Sequence, residues 1–237
     1  MSPIQLQKYH DEYGIDKVNE AIRLLTYKNV SPLPKEESIG RPTLYVFRHG
    51  QTTDNADFLY SGWRDVELTE EGRRQAETLS EKLKDKKIDM LVSSDQKRAI
   101  ETMNIAMAKN EHARNLEIHK DPRLRERSYG DLQGTSKLEA FLENPDTLHK
   151  QRRDYNFVPP NGESIAMVVK RVGEFLDELL PFVKENKLNV AIACSGNSIR
   201  GIRKRFENLT DEETAAVETP LGQDYAAYRV EPGQTRN

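Results

Sequence analysis

Two short stretches of this 237-residue chain hold side chains that could do chemistry on an anion. The first is Phe47-Arg48-His49-Gly50-Gln51-Thr52. The second is Cys194-Ser195-Gly196-Asn197-Ser198, followed by Arg200. Each comes straight after an apolar run, Leu44 to Phe47 in one case and Val190 to Cys194 in the other. Such runs are expected of strands buried on both faces of a sheet. A lone histidine is more often a satisfied surface or core residue. His49, however, stands between a cation and a flexible glycine at a strand end, which suits an anion site better than a core.

The elements that must position these residues alternate. Strands are expected at Leu44–Phe47, Met90–Val92, Leu116–His119, Val190–Cys194 and Tyr225–Val230. A helix starts at Thr69 with Glu70 and Glu71 in its first turn, and Gly72, Ala76, Leu79 and Leu83 fall on one face. Ser94 and Asp95 open a helix carrying Ala99, Ile100, Met103 and Met107. The longest helix begins near Ser164, with a stripe of Ile165, Val168, Val169, Val172, Phe175, Leu176, Leu179 and Leu180, and Pro181 is expected to end or kink it. Another helix is expected over Ser198–Phe206. Residues 136–157 are polar and mixed, suited to short helices and loops. Alternating strands and helices imply an α/β three-layer sandwich, with a mostly parallel central sheet and helices on both faces. In such sheets ligands bind beyond the carboxyl ends of the strands.

Residues 1 to about 28 read as a helical N-terminal extension, with Ile15, Val18, Ala21, Ile22 and Leu25 at helical spacing. The stretch from Val30 to Pro42 holds three prolines and a glycine and reads as a linker. The organisation expected is therefore an extension and linker over 1–42, a main domain over 43–230 and a tail over 231–237. The apolar stripe of the extension is expected to bury against the main domain or a second subunit, since a lone helix of this length is marginal in water.

Composition narrows the function classes. The 36 basic and 39 acidic residues give a net charge of −3, which argues against nucleic acid or a membrane surface as partner. One cysteine excludes an internal disulfide framework and a cysteine-based zinc site, and no metal is expected. No apolar run approaches the ~20 residues that cross a bilayer. The segment Met1–Lys17 is polar and charged, unlike a secretory signal. A cytoplasmic, reducing setting is the expectation.

Five blocks, in order, resemble the histidine phosphatase superfamily, and within it most closely the cofactor-dependent phosphoglycerate mutases. They are Arg48-His49-Gly50-Gln51-Thr52 with Asn55; Ser61-Gly62-Trp63; Leu68-Thr69-Glu70-Glu71-Gly72; Ser94-Asp95-Gln96-Lys97-Arg98-Ala99 with Thr102; and Leu124-Arg125-Glu126-Arg127-Ser128-Tyr129-Gly130. The resemblance spans about Thr43 to Val230. It implies that His49 is the nucleophile that becomes phosphohistidine, that Arg48, Arg98 and Asn55 bind the phosphoryl group, and that Glu126 donates the proton, with burial beside the dianion raising its pKa. It further implies substrate contacts from Ser61, Gly62, Tyr129, Lys137, Arg152, Arg153, Gly196 and Asn197. A true mutase of this kind uses 2,3-bisphosphoglycerate as primer.

Two departures stand out. The second strand end normally carries a histidine that contacts the transferring group; here it is Ser195. None of His10, His112, His119 and His149 follows a strand end in a way that could replace it. The chain also runs from Pro159-Pro160 directly into Asn161-Gly162-Glu163-Ser164, where longer mutases carry an insertion. Three functions stay open: phosphoryl transfer on a small phosphorylated carboxylic acid, as in 2-/3-phosphoglycerate interconversion; hydrolysis of a phosphomonoester; and a non-catalytic phosphate-binding relative. A homo-oligomer is compatible with all three.

Overall fold

The computed structural model describes residues 1–26, 32–37, 40 and 42–230. Val30, Ser31, Ser38, Ile39 and Arg41 of the expected linker, and the tail 231–237, lie outside the described residues. In chain order the elements are α1 (Pro3–Tyr13), α2 (Ile15–Leu25), β1 (Thr43–Arg48), α3 (Thr53–Ala56), α4 (Glu70–Leu83), β2 (Met90–Ser93), α5 (Lys97–Met107), β3 (Ile118–Lys120), α6 (Lys137–Glu143), α7 (Pro145–Arg153), α8 (Ile165–Asn186), β4 (Val190–Cys194), α9 (Gly196–Glu207), α10 (Asp211–Ala216) and β5 (Tyr225–Arg229).

The strands form one sheet in the order β3-β2-β4-β1-β5. β1, β2, β3 and β4 run parallel, and β5 is antiparallel to β1. The apolar runs are buried on both faces because alternate side chains enter different cores. Leu44 and Val46 pack with Val190 and Ile192 under α8 and α9. Tyr45 and Phe47 pack with Ala191 and Ala193 under α4 and α5. Register fixes what emerges at the carboxyl end. Arg48 pairs with Cys194, and the His49 N–H donates to the Cys194 carbonyl at 3.1 Å. His49 and Ser195 therefore leave the centre of the sheet side by side.

A third core lies outside the sandwich. Val18, Ala21 and Leu25 of α2 are buried against Tyr60, Leu138, Leu142 and Leu148, with Ile22 half-buried beside them. The extension thus docks on α6 and α7 of its own chain. Fully burying a side chain such as Val18 or Leu25 contributes about 1.5–3 kcal/mol, enough to hold a helix that water alone would not.

Four expectations shift. The third strand is Ile118–Lys120, not Leu116–His119, and it is an edge strand with only β2 beside it, so burial does not pin its limits. α5 begins at Lys97, because Asp95 accepts from Arg125 Nε at 2.7 Å rather than capping a helix. α8 passes through Pro181, which sits on the solvent side where the carbonyl it leaves unbonded can be hydrated. α9 starts at Gly196, two residues before the expected Ser198, with Ser195 as its N-cap residue. Residues 136–157 do resolve into two short helices, capped by the side chains of Ser136 and Asn144. Among the described residues no helix is long and apolar enough to cross a membrane.

Candidate active site

His49 is 3% exposed, at the end of β1. Its Nδ1 lies 2.7 Å from the Gly50 carbonyl oxygen. A carbonyl only accepts, so Nδ1 carries the proton and Nε2 keeps its lone pair. Burial, then the charges of Arg98 and Arg48, push the His49 pKa well below the ordinary histidine value, which keeps the ring neutral. The Gly50 backbone is itself wedged. A Cβ there would stand 2.3 Å from the Gly72 carbonyl oxygen, and one on Gly72 would stand 2.1 Å from that of Gln51. The first turn of α4 therefore seats the carbonyl that orients His49.

Arg98 is 1% exposed in the first turn of α5. It donates to the carbonyls of Gly62 at 2.8 Å and Arg64 at 2.9 Å, and its Nε has no protein partner. Arg48 donates from Nη1 to the Thr219 carbonyl at 3.1 Å. Two guanidiniums converging near a neutral imidazole are what a phosphoryl group needs around it.

Glu126 is 8% exposed and takes its hydrogen bonds from neutral donors: the Arg127 N–H at 2.7 Å, the Asn197 N–H at 3.2 Å and Asn197 Nδ2 at 2.8 Å. The side chains of its two neighbours are engaged elsewhere. Arg125 pairs with Asp95, and Arg127 donates to the carbonyls of Gln151, Phe157 and Glu163. The carboxylate is thus not a structural ion-pair partner of the arginines that flank it. Burial is the largest single influence and opposes its ionisation. Arg48, the Arg127 N–H, Asn197 and Arg98 together outweigh it and hold the pKa below the ordinary value. The raised pKa expected beside a dianion is a different case, because a dianion would offset the charges of the two arginines.

Beside these groups lies a cavity lined by Arg48, Glu126, Tyr129, Lys137, Arg152, Arg153, Gly196, Asn197, Arg200, Val217, Glu218 and Thr219. Tyr129 accepts from Asn197 Nδ2 at 3.3 Å, and Lys137 lies 5.5 Å from the centre of the Tyr60 ring. Three of the expected contact residues also have bonding partners of their own. Asn55 turns its amide oxygen to the Thr52 N–H and hydroxyl in the cap of α3. The Gly62 carbonyl accepts from Arg98 and Gln96, and the Ser61 carbonyl accepts from the Arg64 N–H. That loop positions an arginine. Ser195 is fully buried, and its hydroxyl has no protein partner.

Two further residues, Gln96 and Glu218, escaped the pattern, and Arg200, named beside the second strand end, had been given no partner. Gln96 joins Arg98 to Glu126: its Oε1 accepts from Arg98 Nη2 at 3.1 Å and from the Glu126 N–H at 2.9 Å. Arg200 donates to Asn197 Oδ1 at 2.7 Å, and its spacing of three from Asn197 on one helix was a readable signal. Glu218 sits in the connection after α10, where no periodicity marks it. Among the described residues no group of His, Cys, Asp and Glu could hold a metal ion.

Residues 44–231 match the histidine phosphatase superfamily (branch 1). The chain is 37% identical over 183 residues to a 2,3-bisphosphoglycerate-dependent phosphoglycerate mutase of Cytophaga hutchinsonii, covering 76% of this chain and 84% of that one. It is 33% identical over 209 residues to phosphoglycerate mutase 1 of Saccharomyces cerevisiae, again covering 76% and 84%. Among solved structures, a mycobacterial glucosyl-3-phosphoglycerate phosphatase complexed with VO3 superposes with a TM-score of 0.69 at 28% identity, covering 78% of this chain and 92% of that one.

Proposed function

This chain belongs to the histidine phosphatase superfamily, and from that premise we propose that it moves a phosphoryl group through His49 on a small phosphorylated carboxylic acid, in the manner of a phosphoglycerate mutase. The observation that carries this reading is the cavity wall. Lys137, Arg152, Arg153 and Arg200 line the same cavity as Arg48 and Glu126, so a ligand whose phosphoryl group reaches Arg48 finds further cations for a second anionic group.

The steps follow from the groups present. Nε2 of neutral His49 attacks phosphorus, the bond from phosphorus to the leaving oxygen breaks, and Glu126 gives that oxygen a proton. Arg48 and Arg98 stabilise the charge on the phosphoryl oxygens throughout. The reverse transfer, to a hydroxyl of a bound monophosphorylated acid, returns that hydroxyl's proton to Glu126 and makes the bisphosphorylated acid, whose other phosphate Nε2 then takes in turn. His49 would be primed by 2,3-bisphosphoglycerate. The test is 31P NMR of the purified protein with 3-phosphoglycerate and a trace of 2,3-bisphosphoglycerate. Appearance of 2-phosphoglycerate supports the reading; no conversion of either acid overturns it.

Hydrolysis is the second reading. The likeness to a phosphatase structure favours it, as does Ser195, which offers a hydroxyl and less bulk than an imidazole beside His49. In that case the same NMR experiment yields inorganic phosphate in place of 2-phosphoglycerate.

A further inference from the structure

The cavity holds two carboxylates, and the steps above use only Glu126. The other is Glu218. Its carboxylate is ion-paired with Arg153 and lies 3.8 Å from Arg200. The backbone carrying it is tied down on both sides. Arg200 Nε donates to the Val217 carbonyl at 3.0 Å, Arg203 Nη1 to the Glu218 carbonyl at 2.8 Å and Arg48 Nη1 to the Thr219 carbonyl at 3.1 Å. Burial opposes the charge on Glu218 most strongly, but Arg153, Arg200, Arg48 and Arg152 together hold its pKa below the ordinary value, so the carboxylate stays ionised. A wall built only to grip anions would not carry a fixed negative charge among its cations.

We propose that Glu218 is a specificity-determining residue that selects phosphorylated acids bearing one phosphate over those bearing two. The inference rests on the reading of a phosphorylated acid as substrate. Any anion that reaches Arg153 must share it with Glu218. A ligand carboxylate brings one negative charge to that encounter, whereas a second phosphate brings about 1.5 to 2. The repulsion therefore grows with the second phosphate, while the attraction available from Arg153 is already partly spent. A mutase built this way holds its bisphosphorylated species loosely, so water competes for the phosphohistidine.

The alternative is that Glu218 merely pins α7 to the loop after α10. Gln at this position keeps a hydrogen-bond acceptor for Arg153, which also donates to the Ala215 carbonyl at 3.3 Å. The experiment is calorimetric titration of the full chain with 3-phosphoglycerate and with 2,3-bisphosphoglycerate. In the unaltered protein 2,3-bisphosphoglycerate should bind no more tightly than 3-phosphoglycerate. In Glu218→Gln the ratio should move by at least about tenfold in favour of the bisphosphate, the size expected when a like charge facing a ligand is removed. Glu218→Asp, which keeps the charge, should keep the original ratio. Tighter binding of the bisphosphate than of 3-phosphoglycerate by the unaltered protein, or a ratio unmoved in Glu218→Gln, overturns the proposal alone. The first of these needs no variant to fold. If inorganic phosphate binds but neither acid does, the substrate reading fails and takes the proposal with it.

Discussion

The proton on His49 Nδ1 points at the Gly50 carbonyl oxygen 2.7 Å away, so the residue next in the chain decides which nitrogen of the ring can attack. With that tautomer fixed, burial, Arg98 and Arg48 all disfavour a second proton. The sign of the pH effect follows. A pKa below the ordinary histidine value leaves the nucleophile neutral, and the imidazole should give constant NMR chemical shifts from pH 8 down to about 6.5. A ring titrating at or above that value contradicts the assignment.

His49→Ala should abolish both turnover and acid-labile phosphorylation of the protein, measured with phosphate-labelled substrate. His49 is the histidine that the β1–β4 register sets at the carboxyl end of the sheet, with the charges of Arg98 and Arg48 acting on its ring. Retained labelling in the variant would place the phosphoryl group on another side chain.

Glu126 is held ionised by Arg48 and Arg98 against its own burial. A dianion arriving between these arginines cancels the charges that depress the pKa, and burial then favours the neutral acid. Phosphate binding at neutral pH should therefore take up a proton, seen as a binding enthalpy that depends on the ionisation enthalpy of the buffer. Glu126→Gln should bind phosphate without that uptake and lose about 10²–10⁴ in kcat. Equal uptake in the variant would mean that another group takes the proton.

What the sequence disclosed divides along a physical line. Buried strands and amphipathic helices leave their period in the chain, so β1, β4 and the α8 stripe were readable, and register alone then set His49 beside Ser195. Side chains that act through backbone carbonyls leave no such trace. Nothing in Ser61-Gly62-Trp63 says that the Gly62 carbonyl holds Arg98, and nothing around Asn55 says that its amide oxygen caps α3. Glu218 is one acid among many until the fold brings it against Arg153.

The N-terminal helices should carry stability. Leu25 is 6% exposed within a cluster that includes Leu138 and Leu142, so Leu25→Ala should cost roughly 2–5 kcal/mol, with a lower Tm in a thermal melt. Deleting residues 1–31 should lower Tm further by uncovering Leu138, Leu142 and Leu148. An unchanged Tm in both would mean that the extension does not dock.

Ser195 is the residue on which the rate of this enzyme should turn. It sits level with His49 across the β1–β4 pair, fully buried, with a hydroxyl that has no protein partner and points to no other task. Serine can offer one neutral hydrogen bond to a phosphoryl oxygen, where an imidazolium would offer a charged one. Removing one transition-state donor typically costs about 10²–10³ in kcat, so Ser195→His should raise kcat by that order. KM should move much less, because Arg48, Arg98 and the cationic wall already hold the ground state. An imidazole must also fit where a hydroxyl now sits, and overpacking of this kind can cost about 1–3 kcal/mol, so the Tm of the variant has to be read beside its rate. Ser195→Gly assayed with free imidazole in the buffer asks the same question without forcing the fit, and its rate should rise with imidazole concentration. If neither version gains, the missing imidazole is not what limits the reaction, and the remaining donors, Arg48, Arg98 and the amides at the start of α9, suffice for the transition state on their own.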